Sequence, residues 1–373
     1  MPILDVVSRR VSAPLHTPFV TSLRRATTVE TLVVEVVDSD GHRGYGEAPQ
    51  VWQVTGASLA GSEACVESML GPLLRGRDPD DLVGSCRAVA AAVVGNEAAK
   101  AALDVALHDL AAVRLGVPLV RLLGGTALRV QTDITLSAAD PAALAEAAAR
   151  RTGEGFTVLK AKVGLADDSP DGIAAEIDRV RAIRTAIGPK ATLRLDANQG
   201  WTPRQAVRVI GALEDEGLDV ELVEQPVPRW DLDGLAWVSD RVRTPILADE
   251  SVFSVRDLVE VIRRRAADMV NVKLAKCGGL SAARTLLSLA HEQGIGTIVG
   301  SMMEGPIGVG AAASLVAAYG TSAVSDLDAA WWLASSPVRG GLSYEGPYVC
   351  LPDAPGLGVN GIGDPDGERM GSD

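Results

Sequence analysis

The segment Thr192-Leu193-Arg194-Leu195-Asp196-Ala197-Asn198-Gln199-Gly200-Trp201 is a short apolar run that ends in an acid and a turn, and a helical pattern follows from Pro203 to Glu216. A strand of this length closed by Asp and then a helix is one β/α unit. The unit recurs on both sides. Upstream, Val158 to Val163 reads as a strand, and Ile173, Ile177, Val180 and Ile187 line one face of the helix after it. Downstream, the runs Val220 to Val223, Ile246 to Ala248, Met269 to Val272 and Thr297 to Val299 read as strands. Helical patterns near Asp231, Arg256 to Arg265, Leu280 to Gln293 and the Gly/Ala-rich stretch Gly305 to Gly320 separate or follow them. An opening strand near Thr132 to Leu136 and a last one near Val324 bring the total to roughly eight β/α units, the number expected of a closed α/β barrel. An open doubly wound sheet is the alternative, but no Gly-rich turn follows the first strand.

The rhythm differs before residue 126. Glu30 to Val37 is β-branched and reads as a strand, Asp40-Gly41 is a hairpin turn signal, and Arg43 to Glu47 returns the chain. A helix from Asn96 to about Leu115 carries Leu103, Leu107 and Leu110 on one face. The expected organisation is an α+β domain over residues 1–125, a barrel over 126–339, and a Gly/Pro-rich tail, 340–373, that returns to the first domain.

Bulk properties narrow the class of function. The chain has 373 residues, 47% of them hydrophobic, enough for a barrel and a second domain. Its net charge of −13 argues against nucleic acid or an anionic membrane as partner, and no apolar stretch is long enough to span a bilayer. The four cysteines, Cys65, Cys86, Cys277 and Cys350, form no CxxC, and the sequence Met1-Pro2-Ile3-Leu4-Asp5 lacks the pattern of a secretory signal. A reduced, cytoplasmic setting and a small-molecule substrate are expected.

Chemistry in barrels sits where strands end. Here Asp196, Glu224 and Asp249 each follow an apolar strand, on three successive units. Adjacent strands lie about 4.8 Å apart, so three carboxylates there repel one another unless a hard divalent cation such as Mg2+ joins them. Lys160 and Lys162 lie two apart on the second strand and face the same way. Two neighbouring ammoniums disfavour each other's charge, so Lys162 reads as a base and Lys160 as its tuner and a carboxylate contact. Lys273 ends the sixth strand, four strands away across the barrel. Lysines on opposite faces of one carbon can remove a proton from one side and return it from the other. A cation on an adjacent carboxylate would stabilise the enediolate formed between the two steps.

In order, Lys160-Ala161-Lys162, Asp196-Ala197-Asn198-Gln199-Gly200-Trp201, Glu224-Gln225-Pro226, Ala248-Asp249-Glu250-Ser251 and Asn271-Val272-Lys273 resemble the enolase superfamily, in its muconate-lactonizing subgroup. Gly44-Tyr45-Gly46-Glu47-Ala48-Pro49 and Leu123-Gly124-Gly125 resemble the capping domain of that family. The resemblance implies a modified (β/α)7β barrel with an α+β cap, Mg2+ on Asp196, Glu224 and Asp249, and Lys162 and Lys273 as the proton-exchanging pair. It also implies a homo-oligomer, dimer or octamer. Asp326-Leu327-Asp328 resembles the Asp-x-Asp of dipeptide epimerases, which holds a substrate's α-ammonium. The segment Pro18 to Arg24 resembles the mobile loop of Ala-Glu epimerases, which places Arg24 on a glutamate side chain.

Two segments depart from the pattern: Ala329-Ala330-Trp331-Trp332, where a proline and aliphatic residues are usual, and Ser301-Met302-Met303-Glu304. Ser301 and Met303 are expected to line the substrate pocket. Trp52, Glu250 and Lys276 keep open roles. N-succinylamino-acid racemase, o-succinylbenzoate synthase and muconate cycloisomerase need the same metal and lysines and stand as alternatives, as does a non-catalytic binding protein on the same scaffold.

Overall fold

The computed structural model describes residues 2–137, 139–165 and 167–363. Three long antiparallel strands open the chain: β1 (Ile3–Val20), β2 (Arg25–Asp38) and β3 (Arg43–Pro49), in the order β1-β2-β3. The helix Glu97–Leu115 lies on this sheet, and glycine makes the contact possible. A Cβ on Gly46 would sit 1.7 Å from the carbonyl oxygen of Ala102, and one on Gly44 would sit 2.1 Å from that of Ala106. The Gly44-Tyr45-Gly46 spacing is therefore a close backbone approach of strand to helix, which any side chain would prevent. Behind it, Leu32, Val34 and Val36 of the sheet meet Leu103, Ala106 and Leu110 of the helix in one apolar core.

A short strand β4 (Arg129–Gln131) leads into seven parallel strands that are neighbours in chain order. They are β5 (Ile134–Leu136), β6 (Val158–Lys162), β7 (Thr192–Asp196), β8 (Val220–Glu224), β9 (Ile246–Ala248), β10 (Met269–Lys273) and β11 (Gly296–Gly300). Parallel bridges Gly300↔Asp326 and Thr132↔Ser325 close the ring, so the eighth strand is reduced to Ser325 and Asp326. A single 3-10 turn, Ala329–Trp332, replaces the eighth helix. This is the modified (β/α)7β barrel with an α+β cap.

Alternation along the strands sorts the barrel. Leu193, Leu195, Val223, Ile246 and Ala248 face outward into the helix-covered core. Inside, Leu222, Leu247 and Ile298 form a small apolar plug. The inner positions beyond the plug, at the carboxyl ends of the strands, carry charge. Lys162 is opposite Asp196 in the β6–β7 register, and Asp196 is opposite Glu224 in the β7–β8 register.

The cap is docked where the charges emerge. Glu47, at the end of β3, accepts hydrogen bonds from the backbone of Gly305 at 2.6 Å and Gly308 at 3.0 Å, at the start of the helix Pro306–Tyr319. A carboxylate there satisfies N–H groups that have no partner within the helix. Ser22, between β1 and β2, donates to the carbonyls of Ala197 and Asn198, both at 3.1 Å. The tail adds β12 (Val338–Gly340), β13 (Ser343–Glu345), β14 (Tyr348–Cys350) and β15 (Val359–Ile362). β14 pairs with β4, and Leu357 donates to Asp109 of the cap helix at 2.6 Å. The expectation for the tail extends to residues 364–373, which lie outside the described residues. Among the described residues, no helix is long and apolar enough to cross a membrane.

Candidate active site

A cavity of about 70 Å³ opens between the cap loops and the carboxyl ends of the strands. Its walls bring together Arg24, Lys160, Lys162, Lys273, Ser301, Met303, Asp326 and Asp328, every residue the sequence reading assigned to base or substrate roles. Of the three acids assigned to metal, Asp249 lines the cavity, while Asp196 and Glu224 lie beneath it, both fully buried.

In strand order the site reads lysine, acid, acid, acid, lysine. Lys162 on β6 donates to Asp196 Oδ2 at 2.5 Å, and Lys273 on β10 donates to Asp249 Oδ2 at 2.8 Å. Glu224 on β8 lies between them. The two ammonium groups therefore approach the row of carboxylates from opposite ends. Lys276, just after β10, donates to Asp249 Oδ1 at 2.5 Å and to the Asn271 carbonyl at 2.9 Å.

Backbone geometry holds the row in place. Asn198, Gln199 and Gln225 have positive φ of 42°, 69° and 35°, a left-handed conformation that costs non-glycine residues energy. Gln225 directly follows Glu224, and Asn198 and Gln199 come two and three residues after Asp196, each just past a strand end. The turn lets the Asn198 backbone N–H reach Asp196 Oδ1 at 2.9 Å, while the Asn198 side chain donates to Glu250 at 3.2 Å. Gln225 accepts from the backbone of Asp249 and Ser251, at 2.9 and 3.1 Å, and so ties the β8 loop to the β9 loop.

The charges perturb one another strongly. Burial pushes Glu224 up to about 7, with Asp196 adding to the effect, and burial together with Asp249 pushes Glu250 up to about 8. Burial alone would raise Asp249 too, but the Lys273 and Lys276 ammoniums hold it below the ordinary carboxylate range. Burial opposes the charge on Lys160, yet Asp326, Glu224 and Asp133 outweigh it and hold Lys160 well above the usual lysine value. The expected mutual lowering of paired ammoniums is thus overturned at Lys160. Lys160 does not see chiefly its neighbour Lys162, because Asp326 and Glu224 stand beside its ammonium. Lys273 is raised in the same way, by Asp249 and Glu224 acting against burial.

The donor set fits a hard cation. Glu250 Oε2 and Glu224 Oε2 are buried oxygens with no hydrogen-bond partner, Glu224 Oε2 having only the Lys160 ammonium at 3.5 Å, and a hard cation would complete them. The carboxylates of Asp196, Glu224 and Asp249 do not converge as tightly as those of Asp133, Asp326 and Asp328, whose oxygens lie within 4.8 Å of one another. Lysine ammoniums hold the outer two of the first trio, and a metal would compete for those same oxygens.

Several contributors were not assigned from sequence. Asn198 was visible inside the Asp196 motif, though its bridge to Glu250 was not. Thr135 touches the site through its backbone N–H, and Asp133 through burial beside Asp326, neither of which leaves a mark in a sequence. Trp52 is 59% exposed and does not line the cavity, whereas its neighbours Val51 and Val54 do.

Residues 3–124 match the N-terminal domain of mandelate racemase and muconate lactonizing enzyme, and residues 143–362 match the enolase C-terminal domain-like family. The L-Ala-D/L-Glu epimerase of Bacillus subtilis is 40% identical over 369 residues, spanning 99% of this chain and 100% of that protein. A substrate-liganded structure of that epimerase superposes with a TM-score of 0.93, covering 97% of this chain and 99% of the other at 40% identity. The dipeptide epimerase of Enterococcus faecalis, solved with Mg and the dipeptide L-Leu-L-Tyr, gives a TM-score of 0.91 at 39% identity, covering 96% and 99%. With both of its halves matched and relatives aligned end to end, the chain belongs to the mandelate racemase/muconate lactonizing enzyme family of the enolase superfamily.

Proposed function

We propose that this protein is an isomerase that epimerises the α-carbon of a dipeptide's C-terminal residue, of the type L-Ala-L-Glu to L-Ala-D-Glu. The observation that carries the reading is the bracketing of a buried acidic row by Lys162 and Lys273. Asp196, Glu224 and Asp249 are the residues that would hold Mg2+, with Glu250 close by. Bound there, Mg2+ would supply positive charge to the substrate carboxylate as electrons move onto it from the broken C–H bond. One of the two lysines takes the α-proton in its neutral form, and the other, as an ammonium, returns a proton to the opposite face. Asp326 and Asp328 receive the α-ammonium, with Lys160 balancing Asp326. Ser301 and Met303 shape the wall beside the reacting carbon.

Arg24 supports an acidic second residue. It lines the cavity, makes no ion pair with any described residue, and burial lowers its pKa, so a carboxylate would relieve its isolation. The apolar wall of Phe19, Leu23, Val51 and Val54 supports a second reading, an aliphatic or aromatic side chain like the tyrosine bound in the Enterococcus faecalis structure. The absence of any disulfide among the four cysteines suits a cytoplasmic enzyme.

The test follows deuterium from D2O into the α-carbon across L-Ala-L-Glu, L-Leu-L-Tyr and an N-succinyl amino acid. Uptake confined to the dipeptides supports the reading, and Asp326→Asn should impair them far more than the N-succinyl compound. Uptake that survives Lys162→Ala combined with Lys273→Ala would end the mechanism.

A further inference from the structure

The 3-10 turn that replaces the eighth barrel helix carries a residue to which the proposed reaction gives no part. The two acids before it are not equivalent. Asp326 Oδ2 accepts from the Lys160 ammonium, so its charge is balanced within the protein. Asp328 pairs with no ammonium among the described residues. Its Oδ2 instead accepts two neutral donors, the Thr135 backbone N–H at 2.7 Å and the indole Nε1–H of Trp332 at 3.1 Å. Among the described residues nothing donates to its Oδ1, and Asp328 lines the cavity. A carboxylate torsion is soft and broad, but two donors on one oxygen fix its plane and leave the other oxygen free to accept.

Trp332 is itself held in place. It is 4% exposed, meets Phe19 edge-on with ring centroids 5.4 Å apart, and stacks on His16 at 5.2 Å. Both partners belong to β1 of the cap, and Phe19 lines the same cavity. The indole thus joins the Asp328 carboxylate to the strand that closes over the substrate.

We propose that Trp332 is a positioning residue for recognition of the substrate's free amino group. Its N–H sets the Asp328 carboxylate so that Oδ1 meets an incoming ammonium, and its ring keys that setting to the docked cap strand. The inference rests on the dipeptide reading and deepens it: of the two acids, Asp328 supplies the charge not already neutralised, and a tryptophan fixes its direction. Without the N–H the carboxylate must be ordered during binding, which weakens binding of the ammonium but leaves proton transfer at the distant α-carbon alone.

The test compares Trp332→Phe with the unsubstituted enzyme, both with Mg2+. Phenylalanine keeps an aromatic ring against Phe19 and His16 and deletes the donor. Two ligands are used, L-Ala-L-Glu as substrate and propionyl-L-Glu, the same molecule with hydrogen in place of the amino group, as inhibitor. The expected result is a KM for L-Ala-L-Glu raised about tenfold, the usual scale for a hydrogen bond to a charged group, with kcat within about twofold and the inhibition constant of propionyl-L-Glu unchanged. An unchanged KM, or an equal rise for both ligands, overturns the inference. Should the unsubstituted enzyme turn over no dipeptide, the dipeptide reading fails and this inference fails with it. Turnover with the Trp332→Phe enzyme discriminating as before sinks this inference alone. If Trp332→Phe does not fold, the indole N–H resonance of Trp332 is followed in the unsubstituted protein. A shift on adding L-Ala-L-Glu but not propionyl-L-Glu supports the clamp, and equal shifts or none overturn it.

Discussion

Lys162 and Lys273 stand at the two ends of one row of acids, each on a carboxylate at 2.5 and 2.8 Å, so neither duplicates the other. A two-base reaction divides by stereochemistry. Lys162→Ala is expected to abolish deuterium uptake starting from one stereoisomer of the dipeptide and Lys273→Ala from the other, with epimerisation in both reduced by about 100- to 10,000-fold. Mass spectrometry on each pure stereoisomer reads this directly. Equal loss from both stereoisomers in both variants would point to one base and a structural second lysine. Glu224 is the acid to test for the metal, because its Oε2 is buried without a hydrogen bond and its Oε1 accepts from Asn271 at 2.7 Å. Mg2+ at a hundredfold above its Kd should stabilise the protein by about 2.7 kcal/mol, read as a rise in melting temperature that EDTA reverses. Glu224→Gln should lose most of that rise.

At the scale of elements, three devices set the geometry. One is a left-handed residue one or two positions past an acid, seen at Gln225 and Asn198, which turns the chain at the strand end. Another is the carboxylate of Glu47 at the start of the helix Pro306–Tyr319, which docks the cap beside Ser301 to Met303. The third is the glycine pair of β3. Gly46→Ala would place a methyl group 1.7 Å from a helix carbonyl, so strand and helix must part. Overpacking of this kind costs about 1 to 3 kcal/mol or more, and the melting temperature should fall accordingly. Cavity ligands should bind more weakly as well, because β1 and the segment just after β3 supply Phe19 and Val51. An alanine variant as stable as the parent would mean that the close approach is not needed.

For the whole molecule, Asp109 shows how the tail is tied to the cap. Its two oxygens accept from the backbone of Tyr45 at 2.7 Å and of Leu357 at 2.6 Å, joining β3 to the tail. Burial pushes its carboxyl up to about 7 from an ordinary value of 3.8, the two N–H donors pulling the other way without prevailing. The folded state therefore holds a proton that the unfolded chain has already released between those values. Stability from this group is full at low pH and is lost as pH rises through about 4 to 7. Asp109→Asn keeps a neutral amide in place, so its melting temperature relative to the parent should climb from pH 5 to pH 8. A constant difference over that range would show that Asp109 does not titrate there.

Much of this was legible in the chain. Alternating β/α runs require a closed or open parallel sheet, and the positions of Asp196, Glu224, Asp249, Lys162 and Lys273 at strand ends follow from period-two alternation, which is local. The Asp-x-Asp pair, Ser301, Met303 and Arg24 were also placed, through motif resemblance. What local pattern does not contain is the partner across a gap in sequence. That Lys160 meets Asp326, 166 residues away, and is raised rather than lowered by its surroundings depends on ring closure through Ser325 and Asp326. That Trp332 faces both Asp328 and β1 depends on a short turn taking the place of an eighth helix. The sequence by itself determined which side chains reach the strand ends, because backbone periodicity does that residue by residue. Only the tertiary structure decided which charges neutralise which, because that is a matter of distance and burial between segments the chain keeps far apart.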